Sequence, residues 1–109
     1  MSIAVLYSWR VKSGMETQFR AGWVSGTRAI HRRCGSYGAR LHRAADGTFW
    51  SYARWPDDAS RKACFAAGAV FQDPGFARMQ AAVAESFDEV VLDLTDDLLA
   101  EPEREPEGG

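Results

Sequence analysis

The chain has 109 residues, of which 46% are hydrophobic and 12% aromatic, with 13 Lys and Arg against 15 Asp and Glu for a formal net charge of −2. A chain this short carries one core and excludes separate cofactor and substrate domains. Its longest stretch without strong polarity, Ala63 to Phe71, falls short of the roughly 20 residues that span a bilayer. No basic-then-apolar leader opens it, so a cytoplasmic protein without a membrane segment is expected.

Cys34 and Cys64 do not make a disulfide framework, and burial with hydrogen bonding is expected to hold the fold. The charge is unevenly spread. Residues 1–87 carry 12 Lys and Arg against 6 acids, net +6, whereas residues 88–109 carry one Arg against 9 acids, net −8. The end of the chain, 100–109 (AEPEREPEGG), has no apolar residue after Ala100 and cannot bury enough surface to offset its ordering entropy. A domain over 1–99 followed by a disordered acidic tail is therefore expected.

In chain order, Ile3 to Val11 alternates with period two, placing Ile3, Val5, Tyr7, Trp9 and Val11 on one face of a strand. Ser13-Gly-Met-Glu16 has the spacing of a capping box, so a helix is expected to start there. Its apolar stripe is Phe19, Trp23, Thr27 and Ile30, and His31, Arg32 and Arg33 fall in its last turn, where positive charge suits the helix dipole. A second strand is expected over about 37–44, a type I′ hairpin at Asp46-Gly47, and a third strand over Thr48 to Trp55. Pro56-Asp57-Asp58 then caps a short helix that ends at Gly68, and Asp73-Pro74 starts another. That last helix would carry Phe76, Met79, Val83 and Phe87 on one stripe before a fourth strand at Val90 to Leu94.

The order β-α-β-β-α-α-β predicts an α+β fold of the ferredoxin-like kind, with a four-stranded antiparallel sheet and helices on one face. The third strand points aromatics both ways, Phe49 and Trp55 to one side and Trp50 and Tyr52 to the other. Helices cover one side only. Sheet-to-sheet closure in a twofold homodimer is the expected cover for the other.

The run Tyr7-Ser-Trp9-Arg-Val11-Lys-Ser13-Gly14-Met-Glu16-x-x-Phe19-x-x-x-Trp23, with Ser36-x-Gly38, Asp46-Gly47 and Tyr52-Ala-Arg-Trp55, resembles the antibiotic biosynthesis monooxygenase domain family over about residues 2–95. The resemblance implies a dimeric α/β barrel with a ligand pocket on each protomer between sheet and helices. It also implies cofactor-independent oxidation of polycyclic aromatic substrates, or haem cleavage in a sister branch. In the haem-cleaving branch an Asn, a Trp and a His build the site. Counted from the turns, those positions fall at Tyr7, near Cys64 or Phe65, and near Met79 or Gln80. None is matched, so haem cleavage is not expected.

Among candidate site residues, Tyr7 lies on the apolar face of the first strand, where its phenol can hydrogen-bond a substrate hydroxyl or carbonyl or simply pair with backbone or water. Phe19 and Trp23 face that strand from the helix, as core or as flat walls for an aromatic ligand, and Trp55 and Phe65 are expected to help shape the pocket. Gly22 and Gly26 each cost about 1 kcal/mol against Ala inside a helix, so a strand or a ligand should approach closely there. His42 and Arg40 share a face of the second strand and could handle a proton or an anion, the bland alternative being a solvated polar face. His31, Cys34 and Cys64 lack metal-ligand spacing, so no metal is expected. The absence of a phosphate-cradling loop, a nucleophile elbow or paired carboxylates gives no sign of a cofactor.

Two functions follow from different classes. The first is a cofactor-independent monooxygenase acting on a small phenolic or quinol substrate of polyketide type. A deprotonated substrate can itself reduce O₂, and the protein supplies burial, a base and stabilisation of the anion. The alternative is a non-catalytic dimeric module that binds a small hydrophobic ligand. RNA-recognition domains share the topology, but Gly47-Thr-Phe49-Trp50-Ser-Tyr52 lacks their signature and the acidic end repels phosphate, so no nucleic-acid partner is expected.

Overall fold

In the computed structural model, which describes residues 2–100, the long alternating run forms β1 (Ile3–Val11), the centre of one antiparallel sheet. Of the expected acidic tail, 100–109, all but Ala100 lies outside the described residues. Then come α1 (Glu16–Cys34), β2 (Ala39–Arg43), β3 (Phe49–Trp55), α2 (Asp58–Ala67), a 3₁₀ turn (Ala69–Gln72), α3 (Pro74–Ala81), β4 (Val83–Ser86) and β5 (Val90–Asp93). The path across the sheet is β2-β3-β1-β4, with β5 also on β1, and the fold is α+β and ferredoxin-like. No helix among the described residues is long and apolar enough to cross a membrane.

The register follows the side-chain alternation. Tyr7 opposes Ser51 and Val5 opposes Ala53, so the inner residues of β1 and β3 share the face under the helices, and Phe49, Ser51, Ala53 and Trp55 are all buried. Trp50 is 40% exposed on the opposite face, flanked by Leu6, Tyr52, Val90 and Leu92.

The expected last helix is cut short. Helical periodicity over Phe76 to Phe87 reaches only Ala81, after which Val83–Ser86 pairs with Trp9 to Val11. Strand pairing overrides the local helical pattern because this half of the β1 edge would otherwise leave its backbone groups unpaired. β5 pairs with the other half, Ile3 to Leu6. The fourth strand expected at Val90 to Leu94 forms as β5, and the end of the expected helix supplies an additional strand, β4, on the same β1.

Two local signals also resolve differently. Lys12 to Met15 forms a turn closed by Met15 N–H donating to Lys12 O at 3.0 Å, with Gly14 at φ 79°. Ser13 is spent in that turn, and α1 starts at Glu16 without a side-chain cap. At the hairpin, Gly47 N–H donates to Ala44 O and only Gly47 has positive φ. The loop is a three-residue one ending in a left-handed glycine, not the type I′ pair. The aspartate caps do form. Asp57 accepts from Ser60 N–H at 2.7 Å and Asp73 from Gly75 N–H at 2.9 Å. Asp57 is held below the usual carboxylate range chiefly by its Ser60 N–H bond, Asp73 chiefly by the Ser25 hydroxyl.

The close approach marked by Gly22 and Gly26 comes neither from a strand nor from a ligand but from α3. A Cβ on Gly22 would lie 2.6 Å from Gly75 O and from Met79 N, and one on Gly26 would lie 3.1 Å from the Phe76 ring. Ser25 Oγ donates to Asp73 Oδ2 at 2.7 Å across the same crossing.

Cys34 and Cys64 are bonded to each other, Cα to Cα 5.7 Å. This overturns the expectation of a fold held by burial and hydrogen bonds alone. One bridge is no framework, but it ties the C-terminal end of α1 to the last turns of α2.

Candidate functional site: an aromatic chamber between sheet and helices

The inner layer is not one continuous core. One buried cluster gathers Ile3, Val5, Ala29, Ala53, Trp55 and Val70, and a second gathers Phe19, Phe49 and Ala82. Between them α1 and α3 stand off the sheet and leave a chamber of about 590 Å³. Its floor is Tyr7, Trp9, Ser51, Ala53 and Trp55, its roof Trp23, Thr27, Ile30, Phe76 and Met79, and Phe65 and Phe71 close one side. Two runs of rings border it. Tyr7 stacks on Trp9, whose partner is Phe19 at 5.3 Å between centroids, and Trp55, Phe65, Phe71 and Phe76 follow one another at 5.0–5.8 Å. Among the described residues no Asp, Glu, Lys, Arg or His lines the chamber.

Of the residues singled out in the sequence, Tyr7, Trp23, Trp55 and Phe65 meet here. Phe19 does not line the space. It is 0% exposed and fills the second cluster against Trp9 and Phe49, so it supports a wall and is not one. His42 and Arg40 lie across the sheet. Arg40 opposes Tyr52 and His42 opposes Trp50, which puts both on the outer face, because strand alternation turns Ala39 and Leu41 inward instead. They border a separate groove at the β2 edge with Glu16 and Arg20. His31 closes the end of α1 through Nδ1 and the Ser36 carbonyl. Since the partner is a carbonyl, Nδ1 carries the proton.

Arg61 escaped the sequence reading because a cation within Asp-Ala-Ser-Arg-Lys reads as solvent-facing. It is only 4% exposed. Its Nε donates to Asp58 at 2.7 Å, and its Nη1 donates to Glu89 at 2.9 Å and to the Tyr7 hydroxyl at 3.3 Å. The i, i+3 spacing of Asp58 and Arg61 was the available signal. Burial raises the Tyr7 phenol above its ordinary value, although Arg61 pulls the other way. Tyr7 is therefore a neutral phenol at physiological pH, a hydrogen-bond donor and not a base. Ser51 was likewise overlooked, although it is the polar residue in an otherwise apolar inward series. It is 2% exposed and accepts from Trp23 Nε1 at 3.3 Å.

No protein-family model matches the sequence, and no curated protein matches it. Solved structures do match. A candidate antibiotic biosynthesis monooxygenase from Bordetella bronchiseptica superposes with a TM-score of 0.75 at 22% identity, over 86% of this chain and 97% of that one. SnoaB, a cofactor-independent oxygenase from Streptomyces nogalater, gives 0.73 at 15% identity over 89% and 96%. A candidate antibiotic biosynthesis monooxygenase from Caulobacter crescentus gives 0.72 at 15% over 87% and 91%. At these identities the likeness is one of fold. The chain has the ferredoxin-like fold of the antibiotic biosynthesis monooxygenase structures.

Proposed function

We propose that this chain is a cofactor-independent monooxygenase that takes a flat phenolic or quinol substrate into the chamber. The observation that carries this reading is the chamber itself, about 590 Å³ walled by aromatic rings, with no charged side chain from the described residues. Such a space favours a neutral planar ring system, excludes water and strengthens the few polar contacts inside it. For an anthrone-like substrate the balanced reaction takes one O₂. One oxygen atom becomes the new carbonyl, the other leaves as water, and all the electrons come from the substrate. The protein's part is to hold the ring between Trp23 and the sheet and to stabilise the substrate oxyanion by hydrogen bonding. Because no carboxylate, histidine or lysine among the described residues lines the chamber, the substrate's proton passes to water at the chamber mouth as its enolate or phenolate forms.

The outer sheet face supports assembly as a twofold homodimer. Trp50, Val90 and Leu92 are each at least 40% exposed on it, and a contiguous apolar patch of this kind is covered in a stable protein. The lack of a carboxylate, histidine or lysine among the described residues of the chamber lining favours a second reading, a dimeric module that binds the same aromatic ligands without turnover. Cytoplasmic residence stands as a proposal against the Cys34–Cys64 bond, since disulfides persist mainly in oxidising compartments.

The deciding experiment is O₂ uptake by purified, metal-free protein with a panel of anthrones and quinols, against an anaerobic control, with the mass measured by light scattering. Uptake matched by quinone formation, from a species twice 12.1 kDa, is expected. Ligand-induced thermal shifts without uptake would leave the binding module, and a 12.1 kDa species would remove the dimer.

A further inference from the structure

The lining carries four hydroxyls, those of Tyr7, Thr27, Ser36 and Ser51, and the two on the sheet floor, Tyr7 and Ser51, are each engaged in one direction only. The Tyr7 oxygen accepts from Arg61 Nη1, and Ser51 Oγ accepts from Trp23 Nε1, both at 3.3 Å. A guanidinium and an indole N–H only donate. Neither hydroxyl hydrogen can go to the group that holds its oxygen, and among the described residues neither has another acceptor. Tyr7 and Ser51 are direct partners across β1 and β3, so both belong to the same wall. Arg61 cannot reverse its role, being permanently charged and locked by Asp58 and Glu89.

We propose that Arg61 is a positioning residue that commits Tyr7, with Ser51 beside it, to donating into the chamber, so that the site selects flat aromatic compounds bearing an acceptor oxygen. A ketone, a quinone or the enolate or phenolate of one satisfies the donors. The same ring system without the oxygen leaves them buried and unpaired, which costs affinity. This rests on the chamber being the binding site proposed above, and it narrows the ligand class within it.

The test compares 9-fluorenone with fluorene, which differ by a carbonyl against a methylene, through quenching of tryptophan emission in the full chain. Fluorenone is expected to bind roughly three- to tenfold more tightly. Tyr7→Phe removes most of that preference without weakening fluorene, which no longer leaves a buried phenol unpaired. Arg61→Lys, still a pure donor, retains it. Arg61→Gln, whose amide oxygen can take the Tyr7 hydrogen, removes most of it as Tyr7→Phe does, without weakening fluorene. A purely structural role for Arg61 would instead lower both affinities together. If the Arg61 variants show no cooperative melt, Tyr7→Phe decides alone. Equal affinities in the unmodified chain, or a preference unchanged in Tyr7→Phe, overturn this inference and leave the chamber reading standing. Failure of both compounds to bind overturns the chamber reading and this inference with it.

Discussion

Replacing Gly22 with alanine is expected to destabilise the protein by at least about 2 kcal/mol, whereas the same change at Gly26 leaves it within about 1 kcal/mol of the parent. The two glycines sit one turn apart on the same helix face, so a helix-propensity argument treats them alike and awards each substitution about 1 kcal/mol of stabilisation. Their surroundings differ. At Gly22 the added carbon meets three backbone atoms of α3, with Gly75 O and Met79 N at 2.6 Å and Met79 Cα at 2.9 Å. Backbone cannot turn aside, so α3 must move off α1, and overpacking of this kind costs up to about 3 kcal/mol or more. At Gly26 the neighbour is the edge of the Phe76 ring at 3.1 Å, which can swing toward the chamber. Thermal melts read the difference directly, with Gly22→Ala lower by about 10 °C. Because α3 carries Phe76 and Met79, Gly22→Ala should also weaken binding of any chamber ligand.

Reduction of the Cys34–Cys64 bond is the second large effect. The bridge closes a loop of 30 residues, and the chain-entropy argument assigns a loop of that length about 3–4 kcal/mol. The effect should not be uniform. The bond ends beside Ser36 on one strand of the loop and beside Phe65 on the other, and both line the chamber. With it cut, α2 is held to the rest mainly through Cys64, Phe65 and Val70 packing and through the Arg61 bonds to Tyr7 and Glu89. Hydrogen exchange with and without a dithiol reductant is therefore expected to show α2 and the following 3₁₀ turn losing protection first, with α1 and the sheet following only at global unfolding. Equal stability of the Cys34→Ser/Cys64→Ser double variant and the oxidised parent would contradict it.

How much of this was legible beforehand varies by feature, for physical reasons. The strands of the sheet centre were plain because period-two alternation is a property of the chain itself, and Ile3 to Val11 and Phe49 to Trp55 both show it. The Asp57 and Asp73 caps were plain because a cap is satisfied by its own next few residues. The start of α1 was less so, since Ser13 fits a capping box and a turn equally well, and Gly14 settles for the turn. β4 was illegible because Ala81 to Glu85 is locally helical and becomes a strand only through the vacant edge of β1. Gly22 and Gly26 announced a close approach without saying what approached, which only the crossing of α1 and α3 decides. At the site, aromatic side chains declared themselves one by one, and their enclosure of a space depends on α1 and α3 standing away from the sheet between two clusters. Arg61 was missed because its burial arises from Tyr7 and Glu89, 54 and 28 residues away in sequence. His42 drew notice by its chemistry, and the register of β2 turns it from the chamber.

The central claim, that a flat aromatic compound enters between α1, α3 and the sheet, is tested most directly by the four tryptophan indole N–H resonances. Trp9, Trp23 and Trp55 line the chamber, and Trp50 lies on the outer face. With each resonance assigned by its own Trp→Phe variant, titration with 9-fluorenone is expected to shift the first three and leave Trp50 in place. A shift confined to Trp50, or none in any of the four at saturating ligand, would contradict the account.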